Sequence, residues 1–170
     1  MIIVTGQPRS GTSMLMQFFK AGGLTLVTDN KRKADRHNPK GYQETIFDKD
    51  TLRKLEDNPT GNVLKVTYPK VKELTKNHQY VFITRDSSEI LMSQEDMAET
   101  KYSLSYQITI ENTLREAQDY FRDKECIWID YKKTIKDPRK ELYPLKCLVC
   151  DWKKAWRAVD EKLYRYKAHS

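Results

Sequence analysis

The chain has 170 residues, of which 38% are hydrophobic, 32% are charged and 11% are aromatic, and its formal net charge is +7. This composition supports one globular domain over residues 1–170 and argues against global disorder, and no apolar run approaches the roughly 20 residues that span a bilayer. The N-terminus lacks a signal-peptide pattern and three cysteines are too few for a secreted disulfide scaffold, so we expect a cytoplasmic protein with no membrane partner.

Short apolar runs alternate with amphipathic segments along the chain. The apolar runs predict strands near residues 1–5, 24–27, 62–67, 80–84 and 126–130. The amphipathic segments predict helices over residues 11–22, 46–57, 69–76, 87–99, 104–123, 138–149 and 151–166. Residues 28–44 are polar and contain Pro39 and Gly41, which indicates a loop. Strands separated by helices predict an α/β fold, with a parallel sheet and helices on both of its faces.

The segment between the first strand and the first helix has the spacing of a phosphate-binding loop. Gly6 and Gly11 give the frame G-x-x-x-x-G, which directs backbone N–H groups into one concavity at a helix N-terminus. Hydroxyl donors are supplied by Ser10, Thr12 and Ser13. Thr12 occupies the position of the lysine that nucleoside-triphosphate enzymes need, so Arg9 is the cation of this loop. The alternative is a glycine-rich turn without a ligand.

An arginine and a serine follow the fourth predicted strand. Arg85 comes directly after YVFIT, and Ser93 lies eight residues later, about two helical turns away. Ligands of open parallel sheets bind beyond the carboxyl ends of the strands, so these two side chains could hold a second phosphate group. The alternative for Arg85 is a surface position or a salt bridge.

Together these motifs resemble the sulfotransferases that use 3′-phosphoadenosine 5′-phosphosulfate (PAPS), in particular small bacterial or phage-like members. Residues 7–13 (QPRSGTS) resemble the 5′-phosphosulfate loop of that family, and Arg85 with Ser93 resembles its 3′-phosphate motif. Residues 38–44 (NPKGYQE) resemble the N-P-x-G-[FY]-x-E segment of many bacterial members. Residues 129–138 and 159–165 resemble the late strand and the C-terminal ending of the family, although Lys132 stands where the family has glutamate.

The resemblance implies a three-layer P-loop fold with about five parallel strands in the order 2-3-1-4-5. It also implies an enzyme that moves a sulfuryl group from PAPS to a hydroxyl or amine acceptor, releases 3′,5′-ADP and uses no metal. We expect a small-molecule or carbohydrate-like acceptor, and we leave the oligomeric state open. The expected cofactor-binding residues are Arg9, Ser10, Gly11, Thr12, Ser13, Arg85, Ser93 and Arg165.

Sulfuryl transfer depends on positioning and on stabilisation of charge, as phosphoryl transfer does. Arg9 is therefore predicted to be catalytic, because it can stabilise charge on the departing phosphate. The resemblance implies Glu44 as the general base, with His37 as the alternative base and an ordinary solvated carboxylate as the other interpretation of Glu44. Arg165 and Lys167 are predicted to close over the nucleotide.

Two other functions stay open. Residues 127–130 (IWID) look like a strand that ends in a magnesium-binding aspartate, which would make the protein a small-molecule or nucleotide kinase with Asp130 near the loop. Residues 131–170 hold 12 basic and 5 acidic side chains, which indicates either an anionic partner or a solvated helix face. A non-catalytic nucleotide- or nucleic-acid-binding module is thus the third hypothesis, although the sequence contains no nucleic-acid-binding motif and nucleic acid is not the expected partner.

The three cysteines do not predict a chemical site. Cys147 and Cys150 form a C-x-x-C pair at the end of a predicted helix, whereas a redox pair opens a helix after a strand. A zinc site needs four ligands, and only Cys126 remains. We therefore expect buried structural thiols.

Overall fold

A parallel sheet forms the centre of the computed structural model, which describes residues 1–29, 31–45, 49–58 and 61–166. Its strands are β1 (Ile2–Gly6), β2 (Leu26–Val27), β3 (Val63–Lys65), β4 (Gln79–Thr84) and β5 (Cys126–Asp130). The five strands lie in the order β2-β3-β1-β4-β5, and every neighbouring pair is parallel. The predicted α/β class and strand order are confirmed, and β2 and β3 are shorter than predicted.

The central strand β1 brings the loop that follows it to the carboxyl edge of the sheet. All five residues of β1 are buried, as expected for a β-branched run that is covered on both faces. Val4 pairs with Lys65 of β3, and Gly6 pairs with Ile83 of β4. The ends of β1, β3 and β4 therefore lie side by side, where parallel sheets bind ligands.

Helices cover the sheet and occupy most of the predicted positions. They are α1 (Thr12–Ala21), α2 (Lys49–Asp57), α3 (Ser87–Ala98), α4 (Leu104–Tyr120), α5 (Tyr131–Lys136), α6 (Pro138–Glu141) and α7 (Trp152–Arg157). Short 3₁₀ helices span Lys70–Glu73, Tyr143–Leu148 and Glu161–Leu163. None of the described helices combines the length and the apolar character that a membrane crossing requires.

The two long helices predicted over residues 138–149 and 151–166 are wrong in extent. The chain instead forms α5, which the sequence interpretation missed, and then a series of short helical turns. The 3₁₀ helix over Tyr143–Leu148 has Pro144 in its first turn and no side-chain cap. Aspartate side chains start the other segments, because each one accepts a hydrogen bond from a backbone N–H of the new turn. These capping residues are Asp130, Asp137, Asp151 and Asp160.

Two apolar clusters pack against the described sheet. One includes Phe18 and Phe19 of α1 together with Leu142 and Leu145, and the other includes Phe121, which lies just after α4. Phe18 and Phe19 are fully buried and meet edge to face, with ring centroids 5.1 Å apart. This packing fixes α1, and with it the loop that precedes α1.

Candidate functional site

A cavity of about 300 Å³ opens at the carboxyl edge of the sheet. Its walls come from the loop between β1 and α1, the ends of β3 and β4, the segment over residues 32–44 and a C-terminal segment that we define as residues 158–166. The predicted site residues that line this cavity are Arg9, Gly11, Thr12, Ser13, Glu44, Arg85, Ser93 and Arg165. The fold therefore gathers residues that lie up to 156 positions apart in the sequence.

The loop over residues 7–11 has a shape that requires the glycine before it, Gly6, and the glycine at its end, Gly11. A Cβ added at Gly6 would lie 2.7 Å from the carbonyl oxygen of Ile83, and one at Gly11 would lie 2.4 Å from the Tyr131 ring. Gly11 also has a φ of 110° and forms the N-cap of α1. The first turn of a helix leaves N–H groups without intrahelical acceptors, and here that turn lines the cavity at Thr12 and Ser13.

Ser10 is placed differently from the other hydroxyl residues. Its side chain is 1% exposed, and it is not among the residues that line the cavity. Its hydroxyl lies beside Gly6, and its N–H donates to the Gln7 carbonyl at 3.1 Å. The Ser10 hydroxyl is therefore buried behind the cavity wall and is not part of it.

Arg9 connects the loop to α3 and to the segment over residues 32–44. It has a φ of 72°, a left-handed conformation that costs a non-glycine residue about 1 kcal/mol or more. Its Nε donates to Ser93 Oγ at 2.8 Å, and its Nη2 donates to the His37 carbonyl at 3.1 Å. The predicted loop cation and the predicted phosphate-binding serine are thus in direct contact.

Arg85 lies in a cage of protein groups. Its Nε donates to Glu89 Oε2 at 2.9 Å, its Nη1 to the Arg9 carbonyl at 3.1 Å and its Nη2 to the Tyr166 carbonyl at 3.0 Å. The guanidinium lies 4.5 Å from the centre of the Tyr131 ring. These bonds use three of the five N–H donors of an arginine, so the same guanidinium can form a salt bridge and still offer donors to the cavity.

Lys65 is a functional candidate that sequence reasoning missed. Its side chain is 4% exposed, and its Nζ lies 2.9 Å from Glu44 Oε2. The same ammonium donates to the Tyr42 carbonyl and, at 3.4 Å, to Ser13 Oγ. Burial lowers its pKa, and the adjacent Glu44 offsets part of that effect. The available signal was a lysine inside a buried strand, which must find a charged partner.

Glu44 is held in its ionised form. Burial favours a higher pKa, but the hydrogen bond and the charge of Lys65, together with Arg32 at 3.0 Å, outweigh burial and lower the pKa of this carboxyl. Arg32 lies over the Tyr42 ring, 3.4 Å from its centre. Glu44 therefore faces the cavity as a carboxylate that can accept a proton, in a setting that makes it a weak base.

His37, the alternative base, is already engaged on both ring nitrogens. Its Nδ1 lies 2.9 Å from Asp96 Oδ2, and its Nε2 accepts from Arg36 Nε at 3.0 Å. The side chain is 10% exposed and lines the cavity beside Arg9. This arrangement suits a residue that organises the cavity wall better than one that exchanges protons with a substrate.

The C-terminal segment covers one side of the cavity. Arg165 Nη1 donates to the Arg36 carbonyl, and Lys40 Nζ lies 3.1 Å from Asp160 Oδ2. The Tyr166 hydroxyl donates to Asp96 on α3. Arg165 therefore lines the cavity, whereas Lys167 lies outside the described residues.

Asp130 and the cysteines lie apart from the cavity. The Asp130 carboxylate accepts from the Lys133 N–H at 2.7 Å as the cap of α5, and it does not line the cavity. Cys147 and Cys150 are exposed and Cys126 is half-buried, so the expectation of buried thiols is wrong for the C-x-x-C pair, which lies at the surface around a 3₁₀ helix. Within the described part of the chain, no three His, Cys, Asp or Glu side chains are grouped as a metal site would require.

No protein-family model matches this sequence, and no curated protein matches it with significant similarity. The chemistry of the cavity is therefore the basis for the functional interpretation.

Proposed function

We propose that this protein transfers a sulfuryl group from PAPS to a hydroxyl or amine acceptor and releases 3′,5′-ADP. The observation that carries the proposal is the direct contact between two anion-binding elements. Arg9, in the loop before α1, donates to Ser93 on α3, and Arg85 donates to the Arg9 carbonyl. A helix N-terminus and an arginine–serine pair thus face one cavity, as a nucleotide with phosphate groups at both its 5′ and 3′ positions would need.

The 5′ side of the donor belongs at the first turn of α1. The N–H groups and hydroxyls of Thr12 and Ser13 would bind the phosphosulfate oxygens. Lys65 Nζ lies 3.4 Å from Ser13 Oγ, so a group bound to Ser13 lies next to a buried ammonium. That ammonium and Arg9 would stabilise negative charge on the departing phosphate, and the burial of Lys65, whose side chain is 4% exposed, strengthens its effect.

Glu44 is the group that would accept the proton of the acceptor. As the acceptor oxygen or nitrogen bonds to sulfur, the S–O bond to the phosphate breaks, its electron pair leaves with 3′,5′-ADP, and the acceptor proton passes to the Glu44 carboxylate. The contact of Glu44 with Lys65 places the proton acceptor beside the cation that stabilises the leaving group. One ion pair would therefore serve both ends of the transfer.

The kinase alternative finds less support in the geometry. A kinase would place Asp130 near the loop to hold magnesium, but this carboxylate caps α5 and lies outside the cavity wall. The binding-module alternative differs in its expected ligand rather than in its cavity. It predicts affinity for nucleic acid that falls steeply with salt concentration.

Calorimetric titration with 3′,5′-ADP, ADP and ATP–magnesium tests the proposal. We expect micromolar binding of 3′,5′-ADP, at least tenfold weaker binding of the other two, and loss of that preference in Arg85→Ala. Arg115→Ala is the matched control, because Arg115 is on α4 and bonds only to Asn112 among the described residues. Transfer of labelled sulfate from PAPS to a panel of alcohols and sugars then tests turnover. Equal affinity for all three nucleotides, or tight ATP–magnesium binding that ignores Arg85, would overturn the proposal.

A further inference from the structure

A buried carboxylate links the cage around Arg85 to the C-terminal segment. Glu89 is 0% exposed and lies in the first turn of α3, four residues after Arg85. Its Oε2 accepts from Arg85 Nε at 2.9 Å, and its Oε1 accepts from the hydroxyl of Tyr164. A residue of α3 and a residue 75 positions later in the chain therefore share one carboxylate.

Glu89 has more partners than its place in the helix explains. A glutamate three residues after an N-cap ordinarily returns to the cap N–H. The cap here is Asp86, whose carboxylate accepts from the N–H groups of Ser88 and Glu89. Since a fully buried carboxylate must find charged or hydrogen-bonding partners, its bonds to Arg85 and Tyr164 account for its burial.

Aromatic contacts hold the same cage from its other side. Tyr131 stacks on the Arg85 guanidinium, and the Tyr164 ring meets Tyr131 edge to face at 5.6 Å. Burial and the hydrogen bond to Glu89 raise the pKa of Tyr164 to about 12, so this phenol remains a donor under all ordinary conditions. The Glu89 carboxylate thus holds the Nε edge of Arg85, and the bonds to the Arg9 and Tyr166 carbonyls leave one N–H on each Nη for a ligand in the cavity.

We propose that Glu89 and Tyr164 are positioning residues that set the orientation of Arg85 for recognition of a terminal phosphate. This inference deepens the proposed function, because the phosphate is the 3′-phosphate of the nucleotide. It makes the C-terminal segment part of the phosphate site, through the hydroxyl of Tyr164, a residue that does not itself line the cavity. Removing that hydroxyl should weaken the discrimination between 3′,5′-ADP and ADP while leaving the core of the protein unchanged.

Two conservative variants and one matched control test the inference. Tyr164→Phe keeps the ring that packs on Tyr131 and removes the bond to Glu89, and Glu89→Gln removes the charge that faces Arg85. Tyr166→Phe is the control, because it keeps the backbone carbonyl that accepts from Arg85 and removes only the hydroxyl that joins the same segment to α3 through Asp96. We expect the affinity ratio of 3′,5′-ADP to ADP to fall at least fivefold in Tyr164→Phe, further in Glu89→Gln, and less than twofold in Tyr166→Phe.

A ligand-free measurement separates this inference from the proposed function. Protein labelled with ¹⁵N at arginine Nε gives an NMR resonance for Arg85, which is assigned by its loss in Arg85→Lys. The rate at which the Arg85 Nε–H exchanges with solvent reports how firmly Glu89 holds this group. Exchange should accelerate at least tenfold in Tyr164→Phe and Glu89→Gln and remain unchanged in Tyr166→Phe.

The outcomes of the two measurements differ in meaning. Unchanged Arg85 exchange in Tyr164→Phe would overturn the positioning role whatever the nucleotides do. Equal effects of Tyr164→Phe and Tyr166→Phe would overturn it as well, because anchoring of the segment would then suffice. A third outcome is fast exchange in both Tyr164→Phe and Glu89→Gln, together with no preference for 3′,5′-ADP in the wild-type protein. It would support the positioning of Arg85, but it would overturn the proposed nucleotide and with it the assignment of the 3′-phosphate.

Discussion

Replacing Glu44 with glutamine should destabilise the protein, because it removes the carboxylate that faces a buried ammonium. Lys65 Nζ lies 2.9 Å from Glu44 Oε2, and the two side chains are 4% and 24% exposed. Removal of one partner of a fully buried pair costs about 3–5 kcal/mol. Since Glu44 is partly solvated and Lys65 keeps its bond to the Tyr42 carbonyl, we expect a loss of about 2 kcal/mol in the free energy of unfolding.

The effect should depend on pH with a definite sign. Burial lowers the pKa of Lys65 below its ordinary value of 10.5, and Glu44 counteracts that fall. Without Glu44 the pKa falls further, so the unfolded chain holds a proton that the folded variant has released. The free energy of unfolding of Glu44→Gln should therefore rise with pH between the folded-state pKa of Lys65 and 10.5, over a wider pH range than that of the wild-type protein. In the wild-type protein the pKa of Glu44 lies below 4.5, so the contribution of this carboxylate is present above that pH and disappears as pH falls through the folded-state pKa.

Urea unfolding followed by tryptophan fluorescence measures this loss. With a dependence on urea of about 2 kcal/mol per molar, the midpoint should fall by about 1 M at neutral pH. Glu116→Gln is the matched control, because Glu116 pairs with Lys72 at 3.4 Å on the surface and its loss should hardly move the midpoint. Equal midpoints for the two variants, or a Glu44→Gln variant whose stability does not rise with pH, would refute the reasoning.

Three further predictions concern the glycine of the loop, the apolar core and a buried carboxylate. Gly11→Ala should lower the melting temperature by roughly 5 °C, since its Cβ would lie 2.4 Å from the Tyr131 ring at a φ of 110°; a melting curve that matches wild type would contradict this. Phe18→Ala should lower the free energy of unfolding by about 3–5 kcal/mol, as measured by urea unfolding, because the ring is fully buried. A loss near zero would contradict this, since it would mean that neighbouring side chains fill the cavity. Burial favours a raised pKa for Glu56, but bonds from two backbone N–H groups and from His78 outweigh it and lower the pKa. The stability that Glu56 contributes is therefore present above pH 4.5 and lost as pH falls through its folded-state pKa. The free energy of unfolding of Glu56→Gln should therefore fall less steeply than that of the wild-type protein as the pH is lowered below 4.5. An equally steep fall in both proteins would refute this prediction.

The sequence was informative where one local pattern decides the structure. The apolar run before Gly6 predicted the central strand, and the glycine spacing predicted the loop that lines the cavity. Residue types in that loop did not reveal which side each side chain faces. Ser10 turns inward because Gly6 leaves room for its hydroxyl, and only the folded loop shows that.

The missed features all depend on contacts between distant residues or on competing local bonds. Lys65 lies in the run VLKV, which is typical of a buried strand, and its carboxylate partner is 21 residues earlier in the chain. The long helices predicted near the C-terminus failed for the opposite reason. Pro144 lies inside the first predicted helix and Asp160 inside the second. A new turn begins at each of them, because Pro144 has no N–H to donate and Asp160 caps the turn that follows it.

The cations of the cavity share one property that bears on ligand binding. Arg9, Lys65 and Arg85 each donate to at least one backbone carbonyl, so they are already oriented. The side chains of Lys65 and Arg85 are also only 4% and 6% exposed. An incoming phosphate or sulfate would then compete with neutral carbonyl oxygens, and it would form hydrogen bonds in which both the donor and the acceptor carry a charge. Because the protein has already ordered these side chains in folding, binding loses little further entropy and favours anions that fit the fixed donors. Selectivity for a doubly phosphorylated nucleotide would follow from the spacing of the donors more than from the total charge of the cavity.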